Sequence, residues 1–267
     1  MIKKYKWNID LIVGTVIIGC LFFIMLVSFF YTPYDPESMD LVNKLSGPSK
    51  GHLLGTDQFG RDVLSRIMVG SQTVFMIGFG TVTLSFIGGS VLGILSGYYG
   101  GFIDACIMKL IESQMAFPGM LLALMLISIF KPSLWVIILA LSLMNTPRFT
   151  RIVRGGYLQF KSAEFVLAAQ VAGLPTHRIM LKHIFPNIST SILVTATLSF
   201  ATAILSEAGL SYLGLGLQPP LASWGKMLGE AQTFMLHSPL LAIIPGVMIT
   251  LTVIGFNLLA EGIRKQL

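Results

Sequence analysis

The sequence predicts an all-α polytopic membrane protein with six transmembrane helices. Apolar residues make up 54% of the 267-residue chain and charged residues only 11%, whereas an ordinary soluble domain carries roughly 25% charged residues. Mean hydropathy is +0.79. The apolar residues also fall in long runs rather than in the short alternations of a half-buried sheet. Lipid offers no partner to a bare peptide group, so each run must be a helix that satisfies its own backbone.

The first run, Ile9 to Phe30, follows the basic residues Lys3, Lys4 and Lys6. It has the roughly 20 residues that a ~30 Å hydrocarbon core demands, and it lacks a small-residue cleavage site, so it reads as a retained span rather than a signal peptide. Thr32 to Arg66 holds Pro33, Pro36 and Pro48 and most of the acidic residues outside the helices, as an external loop would. Thr56 or Asp57 is placed to cap a short amphipathic segment that leads into the second span, Thr73 to Tyr98. That span is rich in glycine (Gly78, Gly80, Gly88, Gly89, Gly93, Gly97), as close helix packing requires. The remaining spans are Ile103 to Phe130, Leu134 to Met144 with its continuation, Ile188 to Leu213, and Leu240 to Ala260. The division is residues 1–31 for the tail and first span, 32–70 for the external loop and amphipathic segment, and 71–267 for a five-helix core. That core includes a cytoplasmic loop, 148–187.

Arg148, Arg151, Arg154, Lys161, Arg178 and Lys182 gather between the fourth and fifth spans, while several basic residues on the other side are neutralised by Asp35, Glu37, Asp40, Asp57, Asp62 and Glu230. This bias places both termini in the cytoplasm. The net charge of +6 resides at the ends of apolar runs, with no basic stripe interleaved with aromatics, which argues against a nucleic-acid partner. Cys20 and Cys106 lie in or beside apolar stretches, so no disulfide framework is expected.

No G-x-x-x-x-G-K-[ST] occurs; the Gly225-Lys226 pair is followed by Met227. The chain therefore has no ATP site and no catalytic residues of its own. His52, His177, His183 and His237 are scattered without ligand spacing, so no metal site is expected. Met115, Met120 and Met125 read as adaptable packing rather than a metal relay. Glu112, with Lys109 one turn earlier, lies close enough to a helix end to reach water. Glu207 lies deep in the fifth span, and with Ser199, Thr202 and Ser206 it makes a candidate translocation wall. Small-residue helix packing predicts much the same pattern. Pro118, Pro147 and Pro245 can each kink or end a helix.

Ala163 to Asn187 reads as a helix, a Gly173-Leu174-Pro175 break, and a second helix that stops near Pro186. A pair of amphipathic helices lying in the headgroups is the plain alternative, but Ala168, Ala169, Ala172 and Gly173 admit a partner backbone at close range.

Ala168-Ala169, Gly173 and His183-Ile184-Phe185-Pro186 resemble the EAA loop in permeases of ATP-binding-cassette importers of the dipeptide, oligopeptide and nickel group. Tyr34-Asp35-Pro36, Leu54-Gly55-Thr56-Asp57, Gly60-Arg61-Asp62, Leu210 to Gly216, Gln218-Pro219-Pro220 and Trp224-Gly225 look like the C-type permease of such importers. The resemblance implies the type I importer permease fold in a bacterial inner membrane, with cytoplasmic coupling helices. It also implies a sister permease, two ATPase subunits that bind ATP and Mg, and an extracytoplasmic binding protein. Glu164, Leu167, Ala168, Ala169, Gly173, Arg178, His183 and Pro186 would couple to the ATPase. Leu167 stands where the motif has glutamate, so docking there rests on shape and on neighbours such as Glu164 or Arg178. The compact length and the form of the loop lean toward nickel or cobalt metallophore import. Di- or oligopeptide import is the alternative, and a stand-alone carrier or channel is a further rival.

Overall fold

A computed structural model describes residues 8–266, so Lys3, Lys4 and Lys6 lie outside the described residues. Among the described residues, five helices are long and apolar enough to cross a membrane: α1 (Ile9–Ser28), α2 (Val63–Tyr99), α5 (Leu134–Phe160), the continuous stretch Thr176–Tyr212, and α10 (Leu240–Arg264). The helices α3 (Gly101–Met115) and α4 (Gly119–Phe130) pass the same test only as a pair, and they are bent by 84°. Among the described residues there is no β-strand, only an isolated antiparallel bridge between Thr56 and Asp62.

Three boundaries differ from expectation. The predicted amphipathic segment before the second span is continuous with it, because Asp62 caps the helix by accepting from the Ser65 amide at 2.8 Å. The third span is interrupted between Met115 and Gly119. Pro118 has no amide hydrogen and disfavours helical backbone at Phe117, so the run cannot continue straight. Pro186 does not stop its helix. Ile179–Ile184 widens into a π-helical turn, in which the Phe185 amide donates to the Met180 carbonyl, and Pro186 then occupies the first turn of α8 (Phe185–Tyr212). A proline is tolerated there because its absent donor has no required acceptor.

The tightest packing joins α2 to α5. Cβ atoms at Gly93 and Gly97 would stand 2.7 Å from the Thr150 carbonyl oxygen and 2.8 Å from that of Arg154. Glycines at a spacing of four share a face, so α5 approaches at backbone distance. Ser85 Oγ donates across the same seam to the Ser142 carbonyl at 3.0 Å. Pro147 and Pro245 lie inside α5 and α10, which continue past them. The terminal helices pack together: Asn8 Nδ2 donates to the Gly262 carbonyl at 3.1 Å, and Lys265 pairs with Asp10.

At the opposite end, the short helix α9 (Trp224–Ala231) folds back onto the bundle. Trp224 is fully buried and its indole Nε1 donates to the Ile67 carbonyl at 2.9 Å. Gly225 permits the approach, since a Cβ there would meet Ala208 Cα at 2.5 Å. Glu230 of α9 lies 3.3 Å from both Arg61 and Arg66, and Asp57 lies 2.7 Å from Arg61, so ion pairs join this helix to the loop after α1.

Candidate functional site

The segment between α5 and α8 forms a compact projection. Its first helix, α6 (Glu164–Val171), begins with an acidic residue at the positive end of the helix dipole. It ends in a Schellman motif. The Leu174 amide donates to the Ala169 carbonyl at 3.1 Å, the Gly173 amide donates to the Gln170 carbonyl at 3.0 Å, and Gly173 has φ +73°. Such a backbone suits glycine because a Cβ would crowd the carbonyl oxygen. Pro175 then opens α7 (Thr176–Arg178), which runs through the π turn into α8.

The projection is seated on its own core. Val166, Ile179 and Ile184 are buried against Phe149, Val153, Tyr157 and Ile188. Tyr157 Oη donates to the Met180 carbonyl at 2.9 Å, which fixes the π turn against α5. Nearby, Arg154 grips Asp104 with two hydrogen bonds of 2.6 and 2.7 Å, joining α5 to the start of α3.

Of the residues selected from sequence for this surface, Glu164, Leu167, Ala168, Gly173, Arg178 and Pro186 are exposed. Ala169 is buried on the underside of α6, and His183 is half-buried. Sequence reasoning missed the most prominent apolar groups of the projection: Val171 is 91% exposed and Leu181 56% exposed. The exposure of Val171 follows from the helical period, because Val166 and Ala169 turn inward and positions 167 and 171 face away. The outer surface is thus largely apolar and small-featured, with Glu164, Arg178 and Lys182 among its charges.

The candidate wall on α8 is divided by the structure. Ser199 and Glu207 are buried inside this chain, Thr202 is exposed and Ser206 is half-buried. Ser211 Oγ donates to Glu207 Oε1 at 2.6 Å, and Ser223 Oγ lies 3.4 Å from Ser211 Oγ, so Glu207 faces α9 rather than open space. The α8 face that is accessible runs through Asn187, Ser191, Val194, Leu198, Thr202 and Leu205, spaced at three and four. It floors two cavities, one against α5 and one against α10, of about 340 and 450 Å³.

Elsewhere, Glu112 is exposed close to the break between α3 and α4. His52 Nδ1 lies 2.9 Å from Asp62 Oδ1 and its ring packs on Tyr34 at 4.6 Å. His177 and His237 are exposed. Among the described residues, no three His, Cys, Asp or Glu side chains gather as a metal cluster would.

A bundle of apolar helices flanked by a mostly exposed broken span, with a projection seated on its own core, fits the membrane-embedded permease subunit of an ATP-binding-cassette importer. Residues 89–267 match the model of the binding-protein-dependent transport system inner membrane component, and the chain belongs to that family. It is 40% identical to the dipeptide transport system permease protein DppC of Alkalihalophilus pseudofirmus, over 99% of this chain and 87% of the relative. With the oligopeptide transport system permease protein OppC of Bacillus subtilis it shares 37% identity, over 99% of this chain and 87% of that one. A glutathione transport system permease protein, GsiD, of Escherichia coli is 40% identical over 88% of this chain and 78% of its own length. Among solved structures, the inward-facing MetNI methionine ABC transporter matches with a TM-score of 0.58 at 13% identity, covering 74% of this chain and 96% of that one. That match concerns the fold.

Proposed function

We propose that this chain forms half of the translocation pore of an ATP-driven importer for di- and oligopeptides. The observation that carries the reading is the 40% identity to a dipeptide permease across 99% of the chain. Such a span includes the external loop and α9 as well as the coupling segment. Relatives named for oligopeptide and glutathione transport point to the same chemical class, since glutathione is itself a short peptide. The lean toward metallophores rested on chain length and the form of the coupling loop, neither of which touches cargo. The relatives' names favour peptides.

In this reading the second half of the pore is a sister permease, and both termini and the projection face the cytosol. Two ATPase subunits, which hold ATP and Mg, receive the projection, while a binding protein delivers cargo to the external side. The broken α3–α4 pair is the sixth span. The permease supplies no affinity for nucleotide, so ATP shifts its conformation only through the contact between projection and ATPase. Leu167, Ala168, Val171 and Gly173 offer that contact by shape, and Glu164 and Arg178 offer charge. Buried Ala169 contributes from beneath by holding α6 to its core. Thr202 and the polar residues below it on α8 line the route.

The test is reconstitution of the whole importer with its binding protein. A binding protein loaded with dipeptide should stimulate ATP hydrolysis and drive uptake, and one loaded with a nickel chelate should not. Stimulation by the chelate alone would return the assignment to metallophore import.

A further inference from the structure

An exposed arginine, Arg151, lines the cavity between α5 and α8 and has no acidic partner among the described residues. Arg151, Gly155, Gln159, Asn187 and Ser191 line it. Its volume, about 340 Å³, falls within the ~300–1,000 Å³ typical of small-molecule sites. A Cβ at Gly155 would have nothing within 4 Å, so the floor is open. Three residues along α5, Arg154 is neutralised by Asp104 at 2.6 Å. Among the described residues Arg151 has no such partner; its Nη1 donates only to the Met115 sulfur at 3.7 Å. A sulfur acceptor leaves most of a guanidinium's five donors free.

We propose that Arg151 reads the terminal carboxylate of the peptide in transit. This rests on the peptide reading above and names the feature of the cargo that this wall recognises. The planar fork of arginine matches a carboxylate with two parallel hydrogen bonds, a match lysine cannot make. Gln159, Asn187 and Ser191 surround it with amide and hydroxyl groups, which suit a peptide backbone. The same α8 face then floors the second cavity, where Val194, Leu198 and Ile254 offer apolar surface for side chains of varied identity. Position also favours a route over a purely interfacial anchor. Arg151 stands nine residues before the last residue of α5, about 13 Å along the helix from the projection.

An oxyanion could also come from a lipid headgroup phosphate, and the experiment separates the two. The complete importer is reconstituted in vesicles of phosphatidylcholine alone and of phosphatidylcholine with phosphatidylglycerol. Uptake of dialanine and of dialanine amide is measured per ATP hydrolysed, each at a concentration that saturates the binding protein. In both vesicle types, Arg151→Gln should lower uptake of the free dipeptide about tenfold, the scale of one charge-assisted pair. The amide should be affected far less, and Arg151→Lys should recover part of the loss. ATP hydrolysis that still responds to the loaded binding protein shows that the variant is folded and coupled. Equal slowing of both peptides, a defect confined to vesicles with anionic lipid, or wild-type selectivity in Arg151→Gln would each overturn the inference while leaving peptide import intact. A wild-type complex that carries neither peptide would overturn the peptide reading and this inference together.

Discussion

Glu207 sits on a helix that crosses the bilayer, yet only 1% of its surface is exposed and its partner is a serine hydroxyl. Its carboxyl group accepts from Ser211 one turn further along α8, and Ser211 in turn meets Ser223, the cap of α9. Glu207→Gln preserves an acceptor for Ser211, whereas Glu207→Leu removes it and leaves buried hydroxyls to find other partners. The leucine variant should lose about 1–3 kcal/mol of stability, seen as a lower unfolding temperature in detergent, and the glutamine variant much less. Gly173 makes a different point. A Cβ there meets nothing within 4 Å, so the constraint is its φ of +73° rather than space. Gly173→Val should cost about 1–2 kcal/mol of backbone strain and release the end of α6. Gly173→Asn, better tolerated in that conformation, should retain more transport per ATP hydrolysed. The helix break at Gly173 was legible in its place between an alanine-rich helix and Pro175. The inward aim of Glu207 was not, because helical spacing fixes a common face but not which neighbour covers it.

Among the elements, the glycines of α2 were read as a sign of close packing, and the structure supplies the partners: α5 at Gly89, Gly93 and Gly97, and Phe200 of α8 at Gly78. Gly93→Leu should be among the most damaging single changes in the chain. The new side chain would overlap the Thr150 carbonyl and Val153, and overpacking costs about 1–3 kcal/mol even where neighbours can shift. Loss of folded protein from the membrane fraction would show it. Hydropathy located the third span but concealed its bend, since the summed apolar content of α3 and α4 matches that of a straight helix. Pro118 was the available signal. The opposite error occurred at Pro186, where a π turn absorbs the proline and the helix runs on. Proline alone does not reveal whether the preceding turn can widen.

For the molecule as a whole, the two ends are built from different balances of the same forces. The end formed by the loop after α1 and by α9 relies on buried ions: Asp57 is 5% exposed and accepts from the Phe59 and Arg61 amides at 2.8 and 3.0 Å as well as from the Arg61 side chain. Lys226, close by, is pushed below its ordinary pKa by burial, against which Glu230 pulls it up. Asp57→Ala strands Arg61 and Arg66 with Glu230 alone. It should cost about 3 kcal/mol and expose the loop to added protease before the spans unfold. Neutralisation of this side's basic residues by Asp57 and Glu230 was legible in the sequence, but not that the two acids, far apart in the chain, meet on the same pair of arginines. The other end combines a broad apolar seat beneath α6 and α7 with the Arg154–Asp104 pair. Between the ends, the stretch from Thr176 to Tyr212 is a single rod of 37 residues, about 55 Å long. Its helical path is continuous through the π turn, and the chain breaks just before it, at Gly173 and Pro175. A motor pressing on the foot of this rod would tilt its far tip in the same stroke, so fluorophores at opposite ends should report movement without delay between them.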